Sequence, residues 1–136
     1  MVRVLLVIVL GLVLGGCSAG EKIAAAQNEA ARFHSLLNAE KYAEIYEQSS
    51  SELKARETKD HFVTFLAAIH RKLGAAGEAR QQGVNVNINP GGSHVALSYK
   101  THFTKGEAGE TFVFSSSGSE TKLVSYNIDS EVLVVG

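Results

Sequence analysis

VNVNINPGGSHVALSYKTHF, residues 84–103, alternates apolar and polar side chains on both sides of Pro90-Gly91-Gly92. Val84, Val86 and Ile88 fall on one side of an extended chain and Asn85, Asn87 and Asn89 on the other, because successive strand side chains point to opposite faces. Beyond the turn, which holds the only proline, Val95, Leu97, Tyr99, Thr101 and Phe103 share one face. His94, Ala96, Ser98, Lys100 and His102 share the other. A period of two on either side of a Pro-Gly turn predicts a hairpin with one half-buried face. Towards the C-terminus, Gly106-Glu107-Ala108-Gly109 reads as a second turn and Glu110 to Phe114 as a short strand. Ser115-Ser116-Ser117-Gly118 reads as a third turn, and Leu123 to Ile128 as a fourth strand with room to run on towards Val134. Four strands joined by short turns predict an antiparallel meander.

Upstream of Glu78 the period is helical. In residues 21–39, Ile23, Ala26, Ala30, Phe33 and Leu37 recur every three or four positions, one face at 3.6 residues per turn. Tyr42, Ile45 and Tyr46 come together on a shorter helix over 41–48. Ser49 and Glu52 then have the spacing of a capping box for a further turn through Leu53. A third helix takes Thr58 as N-cap and Asp60 in its first turn, and its stripe is Phe62, Phe65, Leu66, Ile69 and Leu73. His70, Arg71 and Lys72 offset the dipole at its end, and Gly74 closes it. Three helices followed by four strands predict one α+β domain over residues 21–136, its helices packed on one face of a curved meander.

That order resembles the cone-shaped α+β domains of the nuclear transport factor 2 superfamily, and more narrowly a group of small exported bacterial domains of unknown function. The residues that carry the resemblance in the helices are Phe33 to Leu37, Lys41-Tyr42 with Tyr46 and Ser49-Ser50, Phe62 to Leu66, and Arg71-x-Leu73-Gly74. In the sheet they are Tyr99-x-Thr101-x-Phe103, Glu110-Thr111-Phe112-Val113-Phe114 and Leu123-x-x-Tyr126-x-Ile128. The resemblance implies a cone-like fold with a cavity, and no particular activity, since such cones host isomerases, dehydratases, binding modules and scaffolds. The superfamily usually places a strand among its helices, and none is read between residues 40 and 58. Cones that act as enzymes use an Asp or His in the cavity, often with a Tyr donor. The resemblance therefore implies a candidate lining of Tyr42, Tyr46, Tyr99, His102, Tyr126 and Asp129.

The chain opens with one cation, Arg3, an apolar run from Val4 to Leu14, and Gly15-Gly16-Cys17-Ser18. This is the build of an export signal, and the run is too short for a bilayer span of about 20 apolar residues. Leu14-Gly15-Gly16-Cys17 resembles the lipobox of bacterial lipoproteins. The resemblance implies cleavage between Gly16 and Cys17, a diacylglycerol on the Cys17 sulfur and acylation of the new amine. Residues 1–16 are then the signal, and 17–20 the lipidated cysteine and a short tether. Two or more acyl chains hold a protein firmly at a membrane. Ser18 stands where inner-membrane retention signals carry Asp, which implies a cell-envelope address at the outer membrane, facing the periplasm, in a Gram-negative host. Cys17 is the one cysteine, so its lipidation leaves no thiol for a disulfide or a metal.

Basic and acidic residues nearly balance, 13 against 14. That excludes the basic footprint of a nucleic-acid binder and a polybasic membrane patch. No two of the five histidines have HExxH spacing. His94 and His102 share a strand face but lie ~26 Å apart, and Asp60-His61 reads as a helix start. Neither a GxSxG elbow nor a P-loop lysine is present. No metal site and no cofactor are expected. The domain is expected to be a non-enzymatic module that binds an envelope protein or a small apolar ligand through the concave sheet face. The rival expectations are a small isomerase or hydrolase with an acid or histidine in the cavity, and a structural module that self-associates as a homodimer.

Overall fold

The computed structural model describes residues 18–135. The signal segment and the Gly16–Cys17 junction lie outside the described residues.

Helix α1 (Ala19–Asn38) begins earlier than its apolar stripe suggests. Ser18 is its N-cap, its hydroxyl accepting the Glu21 N–H at 3.3 Å, so Ala19 and Gly20 belong to the first turn and not to a tether. Its buried face is Ala26, Ala30, Phe33 and Leu37, as the spacing predicts. Two short helices follow, α2 (Tyr42–Glu47) and α3 (Ser51–Arg56), so four helices and not three precede the sheet. The cap of α3 is Ser50, which accepts the Leu53 N–H. Ser49 instead donates its hydroxyl to the Ile45 carbonyl at 2.7 Å. Helix α4 (Lys59–Leu73) runs from a Thr58 cap to Gly74, whose φ of 79° suits glycine.

The sheet is an antiparallel meander, β1 (Ala76–Asn89), β2 (Gly92–Phe103), β3 (Gly106–Ser117) and β4 (Glu120–Asp129), in spatial order β1-β2-β3-β4. Strand β3 is longer than its apolar centre. Of the stretches read as turns, residues 106–109, Ser115 and Ser116 pair with β2 and Ser117 with β4, and the reversals fall at Thr104-Lys105 and Gly118-Ser119. Beyond β4 the chain turns at buried Ser130 into α5 (Glu131–Val135), so the last strand does not run on towards Val134.

The inner sheet face carries Val95, Leu97, Thr101 and Phe103 from β2, and Ala108, Phe112 and Phe114 from β3, all buried. Phe62, Leu66, Ile69 and Leu73 of α4 and Phe33 and Leu37 of α1 fill the space above it. Phe33 meets Phe112 edge-on at 5.1 Å and Tyr126 at 4.5 Å. The concave face is thus a packed core, not an open cavity.

One irregularity positions the site. Leu123 and Tyr126 are three residues apart, which puts side chains of a regular strand on opposite faces. The β3–β4 register shifts between Val113/Phe114, where Phe114 pairs with Leu123 and Val113 with Ser125. Val124 is the extra residue of a bulge, and it returns Tyr126, opposite Phe112, to the inner face.

Candidate functional site

The inner row of β3 reads Ala108, Glu110, Phe112, Phe114. Glu110 therefore enters the core with the same parity as the phenylalanines, and it is 1% exposed. A carboxylate cut off from water needs partners, or its burial costs several kcal/mol. Three groups supply them. Thr101, diagonal to it on β2, donates its hydroxyl to Oε1, and Tyr126, diagonal on β4, donates to Oε2. From above, His34 of α1 places Nε2 2.7 Å from Oε1. His34 stands one residue after buried Phe33, at the edge of the apolar stripe, and its ring meets Phe112 edge-on at 5.6 Å.

The neighbouring phenols stay protonated. Burial above all, then the Glu110 charge and the hydrogen bond to it, hold the Tyr126 pKa well above its usual value. Burial and the Glu110 charge raise that of Tyr99, which lies directly across from Glu110 on β2. Tyr126 donates to the carboxylate, and Tyr99 flanks it across the β2–β3 pair.

The Glu110 side chain is 0% exposed, and the cluster reaches solvent through His34, whose side chain is 12% exposed, and through half-buried Tyr99. A carboxylate on Nε2 selects the tautomer with its proton there, which leaves Nδ1 as the acceptor of that form. Nδ1 has no hydrogen bond among the described residues and is not sealed off from solvent. His34 and Tyr99 together form part of the wall of a groove of about 430 Å³ between α1 and the β1–β2 hairpin. Other polar groups of the wall are already engaged. The Asn38 amide pairs with both the N–H and the carbonyl of Ala76, at 2.8 and 2.9 Å, and Gln27 donates to Gln81 at 2.7 Å. Small residues (Ala30, Ala31, Ala76, Gly77) leave the room. The groove thus has an imidazole and a phenol in its wall.

Of the residues nominated from the sequence, the structure brings Tyr99 and Tyr126 to this cluster and disperses the rest. Tyr42 lies near His70, with ring centres 6.4 Å apart. Tyr46 donates to the Glu57 carbonyl at 2.9 Å and packs on Phe62. His102 is exposed on the outer face beside Arg80, Lys100 and Glu107. Asp129 is exposed at the end of β4. Strand parity explains both misplacements, since His102 follows inward Thr101 and Asp129 follows Ile128, the partner of Glu110. Among the described residues, no three His, Cys, Asp or Glu side chains converge as a metal site, and no helix is long and apolar enough to cross a membrane.

No curated protein matches the chain. Residues 29–126, which contain His34, Thr101, Glu110 and Tyr126, match a family described as proteins of unknown function, DUF4019. The match covers more than half of the sequence, and the chain belongs to the DUF4019 family.

Proposed function

We propose that this chain is a lipid-anchored envelope protein whose domain binds a small polar ligand in the groove between α1 and the β1–β2 hairpin, with His34 as the anchor. One observation supports this above the others: a fully buried carboxylate engages one ring nitrogen of a histidine that lines a groove together with Tyr99. Stability alone is a weak reason to keep such a cluster, because buried ionic groups are commonly replaced by well-packed apolar ones without loss. The ligand that fits has a hydroxyl or amide N–H for Nδ1 and an acceptor for Tyr99. It is not the apolar ligand of the concave face, since the core fills that face. The order of helices and meander supports a nuclear-transport-factor-2-like cone, with the groove at the margin of its helical layer.

The geometry also favours a second reading, acid–base catalysis. A carboxylate that fixes an imidazole tautomer is how a general base is oriented, and a phenol beside it can donate to a developing oxyanion. His34 would take the proton, Glu110 would position it and Tyr99 would hold the oxygen.

The binding reading is tested by thermal unfolding of the chain from Ser18 onward against small sugars, hydroxy acids and amino-acid amides. A ligand at 100 times its Kd adds about 2.7 kcal/mol, which raises the Tm by roughly 10 °C for a domain of this size. His34→Phe and Tyr99→Phe should each remove most of that rise; equal rises in both variants would place the ligand elsewhere. Anchoring is tested on the full chain by detergent phase partition. The parent should enter the detergent phase and Cys17→Ser the aqueous phase, whereas identical partition of the two would rule out a lipid on Cys17.

A further inference from the structure

We propose that β1 pairs edge to edge with β1 of a second copy of this chain, antiparallel about a two-fold axis at Val86. This stands apart from the groove and the anchor. The two edges of the sheet are treated differently. At β4, Ser50 of the α2–α3 link donates its N–H to the Leu123 carbonyl at 2.9 Å, and the Arg56 guanidinium covers the Val124 carbonyl. At β1, α1 covers only the first half, through Asn38 on Ala76 and Gln27 on Gln81. Both register shifts of β1 lie in that half as well, between Ala76/Ala79 and Gln81/Gly83. Natural edges are guarded by bulges and charges. From Gly83 to Asn89 the strand has neither. Its pairing to β2 is regular and its side chains carry no charge. Val84 and Ile88 are 46% and 61% exposed, two of three large apolar side chains so placed among the described residues.

The occupant follows from the order of residues. With Val86 opposite Val86, Val84 of one copy faces Ile88 of the other, and Asn85 faces Asn87. The apolar side chains then cover each other on the inner face and the amides pair on the outer, so the strand is its own complement. A charged partner strand would find no counter-charge here. A two-fold axis makes the contact isologous and closed, and the inner faces of both sheets, with their α1 helices, lie on the same side.

The test uses the full chain in detergent, where Cys17 is the one native cysteine. Directly opposed strand residues have Cβ atoms about 4.5–5.5 Å apart, close enough for a disulfide after a small adjustment. Under mild oxidation Val86→Cys should give a covalent dimer that the parent does not. Adding Asn85→Lys with Asn87→Lys sets like charges opposite each other twice and should cut the dimer about tenfold. Adding Asn85→Lys with Asn87→Glu sets opposite charges there and should keep it. Asn85 and Asn87 are exposed and Val86 is half-buried at the margin of the core, where cysteine is a small apolar replacement, so the domain remains folded. No dimer beyond the parent's with Val86→Cys, or equal cross-linking in the two charged variants, would overturn the proposal and leave the edge to a lipid surface or another protein's strand.

Discussion

Glu110→Ala should lower the unfolding free energy by about 3–5 kcal/mol, the usual effect of removing one partner from a buried charged cluster. The substitution deletes the shared acceptor of three groups at once. Thr101 is fully buried and Tyr126 nearly so, so neither hydroxyl can turn to water, and the Nε2–H of His34 loses its acceptor. Against the roughly 5–15 kcal/mol of a whole domain, that is enough to leave the variant marginal. Glu110→Gln keeps the volume and one acceptor oxygen, and should cost about 1–2 kcal/mol. Chemical denaturation at unchanged slope reads both values. A Glu110→Ala variant within 1 kcal/mol of the parent would mean that the cluster is not the closed network described.

Tyr126→Ala should cost a similar amount, about 3–5 kcal/mol, for a different reason. The bulge at Val124 is what gives Tyr126 inward parity. Tyr126 is 7% exposed and packed on Phe33 and Phe112, so its loss leaves a cavity there, and Glu110 loses a donor and its cover together. Tyr126→Phe keeps the ring and should cost only about 1–2 kcal/mol, the value of the lost hydrogen bond. If the two substitutions are equally mild, the ring is not packed between Phe33 and Phe112 as described.

Much of the architecture is legible in the sequence because its signals are local. The stripe of α1, the Thr58 and Gly74 ends of α4, and the period-two strands around Pro90 each follow from residues within a few positions of one another. The misses have physical causes. Helices of six residues, α2 and α3, are too short to show a period, and adjacent serines offer two caps where only Ser50 is used. The first half of β1 is a largely exposed edge bulged twice, so Glu78, Arg80 and Gln81 do not alternate with apolar partners.

The site was half visible. The run Glu110-x-Phe112-x-Phe114 already places Glu110 among inward side chains, and His34 follows Ala30 by one helical turn. Nothing local joins them across 76 positions, however, and the parity of Tyr126 depends on a bulge with no glycine to mark it. His102 and Asp129 drew attention as chemistry-bearing residue types, although their strand positions face outward.

The most direct test of the central claim is the nitrogen NMR spectrum of the His34 ring, at a pH where the ring is neutral, in the parent and in Glu110→Gln. The account predicts a protonated Nε2 and a bare Nδ1 in the parent, with that preference weakened in the variant. A proton on Nδ1 with Nε2 bare, or a ring indifferent to Glu110→Gln, would mean that the glutamate does not set the imidazole for the groove, and the site as described would be wrong.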